Sequence, residues 1–169
     1  MASKKGEVDD QGELFLDMAE RVVKTVAASF GARHDEIAIL MLSTDKKHLR
    51  FVAPRKFSSL GTIPLSKRDS IAVSVFTKKV GEATNNVPTV RHVSFFESIK
   101  IRDRPFPIQK MVTAPIFDGD VPVGVVQISR KGETPGEAGP DFTGADLRKT
   151  EELFSKIGPE LTKGRPDRY

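Results

Sequence analysis

The chain contains no cysteine. That absence removes disulfides, thiolate nucleophiles, cysteine zinc sites, iron–sulfur clusters and any chromophore held through a thioether. No apolar run approaches the roughly 18–20 residues needed to cross a bilayer. The N-terminus, MASKKGEVDDQGE, is charged and lacks the apolar centre of a secretory signal, so a cytoplasmic protein without a membrane partner is expected. Neither Gly-x-x-x-x-Gly-Lys-Ser/Thr nor Gly-x-Gly-x-x-Gly occurs, and no serine lies in Gly-x-Ser-x-Gly. The sequence therefore carries neither of the common phosphate-cradling loops and no nucleophile elbow.

What is present suits one domain. The 169 residues are enough to bury a core, and 38% hydrophobic with 30% charged residues fits a soluble globular protein. The net charge of +4 is unevenly spread. Residues 7–20 hold Glu7, Asp9, Asp10, Glu13, Asp17 and Glu20 and no base, whereas residues 45–68 hold Lys46, Lys47, Arg50, Arg55, Lys56, Lys67 and Arg68 against Asp45 alone. A basic segment attracts anions in general. So modest a total fits lysines solvated on hairpin tips and loops better than a nucleic-acid partner, which is not expected.

Hydrophobic periodicity orders the elements. Residues 1–10 read as a loose tail. From Gly12 to Ala32 the pattern is helical, with Leu14, Met18, Val22, Val26 and Phe30 four apart and Gly31 as a stop. EIAILMLS (36–43) reads as a buried strand, TDKK as a turn and His48–Val52 as the returning strand, ended by Pro54. TIPLS suits a short edge strand, because Pro64 removes a donor. SKRDSIAVSVFTKKV then predicts a short helix, capped by Ser66 with Asp69 in capping-box spacing, or by Asp69 or Ser70 itself. VGEATNN reads as a short strand and turn. Residues 87–110 form a long, aromatic-rich connection with three prolines, a length expected where a segment lines a site or forms a lid, and Phe95, Phe96, Ile99 and Ile101 suit a short helix within it. TAPIFDGDVPVGVVQISRKG (113–132) reads as two strands around a turn at Asp118-Gly119-Asp120. Gly124, inside the second strand, is expected to serve the scaffold, with a helix or neighbouring segment crossing close above it. After a glycine- and proline-rich loop, Thr143 and Asp146 have capping-box spacing for a last helix, whose apolar face is Leu147, Leu153, Phe154, Ile157 and Leu161 and which Gly158-Pro159 is expected to kink or shorten.

Three stretches in this order resemble the GAF domain family: IPLSKRDSIAVSVFTKKVGEATNN; PIQKMVTAPIFDGDVPVGVVQISRK, with a Pro-Ile, Asp-Gly and Gly-Val pattern; and DFTGADLRKTEELFSKIGPEL, a Phe-Thr pair with an aspartate three residues after the threonine and then a helix. The resemblance covers roughly residues 13–162. It implies an α+β, profilin-like or PAS-like fold with an antiparallel sheet of five to six strands. The terminal helices would pack on one face, and the inner helix and long connection would enclose a pocket on the other. The domain is then expected over 11–163, flanked by tails at 1–10 and 164–169. Periodicity alone gives only a mixed α+β domain.

No catalytic constellation stands out. His34 and His48 are expected at the surface, while His92 lies in the long connection. Asp118 and Asp120 are ordinary turn residues and supply too few oxygens for a metal. Members of the resembled family bind cyclic nucleotides, linear tetrapyrroles, haem or small metabolites, or nothing known. Their phosphodiesterase-type Asn-Lys…Phe…Asp-Glu signature is not evident here. Without cysteine, covalent bilin attachment and the methionine-sulfoxide-reducing activity of some members are excluded.

Two readings of different class follow, neither enzymatic. In the first, the domain is a small-molecule sensor in signal transduction. Its pocket would be lined by Val73 and Phe76 of the inner helix, His92, Phe96, Ile99 and Phe106 of the connection, and Met111 and Thr113 of the central strand, with an anionic group received near Lys67, Arg68 and Ser70. The same apolar residues serve equally to fill a core. In the second, the domain works by pairing as a homodimer through Leu14–Phe30 and Leu147–Leu161. Apolar positions at Phe15, Val23 and Ala27 lie beside the main stripe, and adjacent Leu153 and Phe154 exceed what one buried face needs. An enzyme with an unrecognised site is a weaker third reading. No effector domain is visible after the closing helix, so the output is expected to pass to another, unknown protein.

Overall fold

A computed structural model describes residues 3–89 and 106–167, among which the chain forms a six-stranded antiparallel sheet in the order β3-β2-β1-β6-β5-β4. The strands are β1 (Ile37–Leu42), β2 (His48–Ala53), β3 (Thr62–Pro64), β4 (Glu82–Thr84), β5 (Ile108–Asp118) and β6 (Val121–Lys131). The helices are α1 (Ser3–Phe30), α2 (Ile71–Lys78), α3 (Pro135–Ala138) and α4 (Gly144–Gly164), and short 3-10 turns cover His34–Glu36, Arg55–Leu60 and Val87–Thr89. β3 lies at one edge, where Pro64 interrupts no inner ladder. β5 and β6 form the long central hairpin around Gly119, which has a φ of 63°.

Strand alternation divides the side chains between two faces. On the first face, Ile37, Ile39 and Met41 of β1, Val112, Ala114 and Ile116 of β5, and Val126 and Ile128 of β6 pack against Phe15, Ala19, Val23 and Val26 of α1 and Phe154 and Leu161 of α4. On the second face, Leu40, Leu49, Phe51, Ile63 and Val125 pack with Phe57 and with Ala72, Val73 and Phe76 of α2, and Met111 joins Ile71, Val75 and Val87 beside them. The terminal helices thus share one face and the inner helix takes the other, as the family resemblance implies.

Several local expectations shift. Helix α1 begins at Ser3, so residues 3–10 are helical where a loose tail is expected; the absence of an apolar stripe there says nothing against a run that includes good helix formers such as Lys4, Lys5 and Glu7. The buried stripe of α1 is Phe15, Ala19, Val23 and Val26; Val26 belongs to the expected row, the other three lie one residue round from it, and Leu14 is 67% exposed. A row spaced strictly by four drifts about 40° per step around a 3.6-residue helix. Mixing steps of four and three keeps Phe15, Ala19, Val23 and Val26 on one side. Of the expected row, Met18, Val22 and Phe30 sit half-buried at the margin of the same core, as do Leu147, Leu153 and Ile157 of α4. Helix α4 continues through Gly158-Pro159 to Gly164.

Capping follows sequence closely at α4, where the Asp146 amide donates to Thr143 Oγ1 (3.3 Å) and the Thr143 amide to Asp146 Oδ2 (2.8 Å). At α2, Ser70 is the cap and accepts from the Val73 amide at 3.3 Å, so the Ser66–Asp69 alternative is not the one used. The acidic and basic segments meet at one point: the Arg55 guanidinium reaches Glu13 (2.9 Å) and Asp17 of α1. Glu20 also accepts from His34 at 2.7 Å.

Gly124 is a scaffold position, as expected, but the close neighbour is the adjoining strand rather than a crossing helix. A Cβ there would lie 2.3 Å from the Leu40 carbonyl oxygen and 2.9 Å from Met41 Sδ. Gly158 has the same role at the helix layer, since its Cβ would lie 2.0 Å from the Phe117 carbonyl oxygen.

Candidate binding face

The second face of the sheet is apolar at one end and polar at the other. β6 alternates Val126 and Ile128, directed at the terminal helices, with Gln127, Ser129 and Lys131 directed the opposite way. On β5, Thr113 stands directly opposite Gln127, and Met111 opposite Ser129. Ala38 of β1 flanks Gln127 on its other side. On the far side of Thr113 stands Glu82 of β4, so the result is a row, Glu82–Thr113–Gln127–Ala38, with a polar stripe leading from it along β6 to Lys131. Directly opposed residues have Cβ atoms about 5 Å apart.

The middle of the row is enclosed. Thr113 is 0% and Gln127 5% exposed. Even so, Thr113 Oγ1 and Gln127 Nε2 have no hydrogen-bond partner among the described residues. A buried polar atom left unsatisfied costs about 1–3 kcal/mol. Two such atoms side by side mark a place where the fold keeps polarity that it does not itself use.

The far end of the stripe is occupied. Ser129 Oγ donates to the Glu36 carbonyl (3.1 Å), and Glu36 Oε2 accepts from the Lys131 amide (2.8 Å). Lys131 Nζ donates to the Asp35 carbonyl at 2.8 Å and lies 4.0 Å from Asp35 Oδ2, which has no hydrogen-bond partner among the described residues. Burial pushes the Lys131 ammonium below the usual lysine range, and Asp35 and Glu36 oppose that shift. Phe57 lies beneath it, with the Nζ 6.0 Å from the ring centroid.

Of the residues expected to line a pocket, Val73, Phe76, Met111 and Thr113 lie on this face, and Ser70 is buried at the start of α2. Val73 and Phe76 are packed against Leu40 and Val125, and Met111 against Ile71 and Val75, so all three serve the core. Ser70 spends its hydroxyl on capping α2, which takes up one amide at the helix end proposed for an anion. Phe106 is 37% exposed and stands at the surface rather than lining an enclosure, because it precedes β5 instead of lying in its ladder. His92, Phe96 and Ile99, and the body of the expected lid, lie outside the described residues. Sequence reading missed Gln127, Ser129 and Lys131. The signal was there: VVQISRK alternates apolar and polar residues on a central strand, and a polar face on such a strand points into the domain.

Elsewhere, a groove of about 570 Å³ runs between α1 and α4 past Thr25, Leu153, Lys156 and Ile157. Among the described residues there is no cluster of three or more histidines or acids able to hold a metal ion, and no helix long and apolar enough to cross a membrane.

No protein-family profile matches the chain, and no curated protein does. Solved structures do. The GAF domain of an Acinetobacter phosphoenolpyruvate-protein phosphotransferase is similar at 11% identity, with 96% of this chain and 95% of that one covered and a TM-score of 0.67. The GAF domain of a Bacillus halodurans two-component sensor histidine kinase is similar at 21% identity, with 87% and 92% covered and a TM-score of 0.61. The Thermoplasma acidophilum type II free methionine-R-sulfoxide reductase is similar at 12% identity, with 90% and 95% covered and a TM-score of 0.61. At such identities the likeness is one of fold, and the fold is that of a GAF domain. The last comparison shows that enzymes also use this fold.

Proposed function

We propose that this chain is a non-enzymatic sensory domain of signal transduction that binds a small molecule on the second face of its sheet. The observation that carries the reading is the pair of buried, unpartnered polar atoms, Thr113 Oγ1 and Gln127 Nε2, beside an apolar wall. A few placed polar groups among apolar side chains suit a small-molecule site. Two of the similar solved structures are GAF domains, of a two-component sensor histidine kinase and of a phosphoenolpyruvate-protein phosphotransferase. The reductase's chemistry is not carried over, because the sulfoxide-reducing members of the resembled family work through cysteines and this chain has none. A cytoplasmic location suits this role.

The test is a thermal-shift screen of the full chain against nucleotides, haem-related compounds and small acids. A ligand at one hundred times its dissociation constant adds about 2.7 kcal/mol of stability. A stabiliser whose effect disappears in Gln127→Leu is the expected result. A stabiliser indifferent to both Thr113→Val and Gln127→Leu would place the site elsewhere.

Pairing through α1 and α4 is the second reading, favoured by exposed Leu14 and by the groove between those helices. Light scattering at micromolar concentration tests it. A mass that stays at 18.6 kDa on concentrating the sample would remove it.

A further inference from the structure

The sheet is left open beyond the end of β4. That strand has three residues against the eleven of β5, and its first, Glu82, pairs with Thr113. Past that point no strand among the described residues pairs with the outer side of β5, along residues 114–118. We infer that this stretch is a docking edge for an extended segment of a partner protein, apolar at alternate positions, which adds to the sheet as a short further strand. The inference stands apart from the ligand-binding reading above and concerns how the domain reaches another protein.

The backbone directions follow from the hairpin. In an antiparallel ladder each residue points its N–H and C=O to one side, and successive residues alternate. The Gly132 amide donates to the Pro107 carbonyl (3.2 Å), so Ile128, Val126 and Gly124 of β6 also face β5. They stand opposite Val112, Ala114 and Ile116. Thr113, Pro115 and Phe117 therefore turn their backbone outward. In keeping with this, a Cβ at Gly81 would lie 3.0 Å from the Thr113 carbonyl oxygen. Pro115 has no N–H to leave unpaired there, and an open edge is where a sheet tolerates proline. Glu82 takes Thr113. What remains is the Pro115 carbonyl and the Phe117 amide, an acceptor and a donor two residues apart. An incoming strand of either direction meets both. The Phe117 carbonyl lies against Gly158 of α4, so the added ladder is short.

A cleft of about 570 Å³ follows this edge. Pro115 and Phe117 line it, with Val80 and Gly81 on one side and Phe154 and Ser155 of α4 on the other. Walls on both sides admit a bare strand and bar the edge of a second layered domain. The charged side chains of the cleft are Lys79 and Glu151, one of each sign, which favours an apolar occupant over an acidic or a basic one. Val80 is 66% exposed, and Val121, at the hairpin turn, 62%. Exposed apolar side chains beside an unpaired strand edge mark a place for pairing. In strand addition the main-chain bonds give affinity and the pockets for alternate side chains give specificity.

The experiment uses the full chain labelled with nitrogen-15 and three acetylated, amidated peptides: KTVTVTK, its analogue N-methylated at both valines, which removes strand donors, and KTDTDTK. In the free protein the Phe117 amide should exchange with solvent much faster than that of Ile116, which faces β6. KTVTVTK should slow that exchange about tenfold or more and shift the Val80 signal, while the other two peptides change neither. Val80→Asp, at an exposed position, should weaken KTVTVTK binding about tenfold at an unchanged melting temperature. If the Phe117 amide is already as protected as that of Ile116, the chain covers its own edge and the inference falls. It falls also if KTVTVTK binds no better than its N-methylated analogue, or if no peptide moves the Phe117 signal at millimolar concentration. If that signal moves with protein concentration alone while the mass rises, the occupant is a second copy and the partner inference is overturned. None of these readouts involves Thr113→Val or Gln127→Leu, so the ligand-binding reading stands or fails separately.

Discussion

The two faces of one sheet have been finished differently. The face under α1 and α4 is apolar across β1, β5 and β6, from Ile37 and Ile39 to Val112, Ala114, Val126 and Ile128. Its contacts are so close that a Cβ at Gly158 or Gly124 would strike neighbouring backbone. The face under α2 uses the same strands at the alternate positions. There Leu40 and Val125 pack as tightly, yet Thr113 and Gln127 are buried with atoms unmet. Strand alternation makes this division possible, because each residue serves one face without constraining the other. A closed face gives the domain its stability. The second face carries two buried polar atoms that find no hydrogen bond among the described residues.

If this contrast is right, damage to the closed face is costly. Phe154 of α4 is 1% exposed and is among the largest fully buried side chains. Phe154→Ala should cost about 3–5 kcal/mol, the range for deleting a buried aromatic ring. Denaturant unfolding monitored by circular dichroism measures it. A loss below about 1 kcal/mol would mean that α4 is loosely seated and that the face is not closed.

Filling the close approaches is the next largest effect. Gly124→Val would press a side chain into the Leu40 carbonyl and Met41, and Gly158→Ala would push α4 off the end of β5. Each should cost about 1–3 kcal/mol by overpacking. Because both glycines serve the first face, neither substitution should alter the ligand preferences of the second. A melting temperature unchanged within error for Gly124→Val would reopen a ligand-contact role for that position.

These positions also show what was legible in the sequence. The order of elements, the edge position of β3, the capping box at Thr143 and the scaffold role of Gly124 follow from turn residues, proline chemistry and local spacing. All are set by neighbours in the chain. What was not legible depends on long-range geometry. The buried side of α1 is chosen by how the helix lies on the sheet, so Phe15 displaces Leu14. Gly158 reads locally as a helix breaker, yet it is where Phe117 lets α4 approach. Val73 and Phe76 were legible as inward-facing residues of α2, and they lie in the apolar cluster of the second face with Leu40 and Val125. Gln127 escaped notice because its meaning comes from standing opposite Thr113, fourteen residues earlier on the other side of a hairpin turn.

The smallest expected effect concerns the end of the polar stripe. Lys131, with a side chain 4% exposed, is a buried ammonium on the second face. Burial lowers its pKa from the usual 10.5; Asp35 and Glu36 pull it back up, and Lys56 and Arg33 push it further down. The folded protein therefore releases this proton at lower pH than the unfolded chain does. Between the two pKa values the unfolded state holds more protons, so stability rises with pH in that window. Below the folded pKa the penalty is present in full and does not change. Carbon-13 labelling of the lysine Cε positions, with the Lys131 signal assigned by its loss in Lys131→Arg, follows the titration directly. Its midpoint should fall below the usual lysine value of 10.5. A midpoint at or above that value would show that Asp35 and Glu36 outweigh burial. The stripe would then end in a fully formed ion pair.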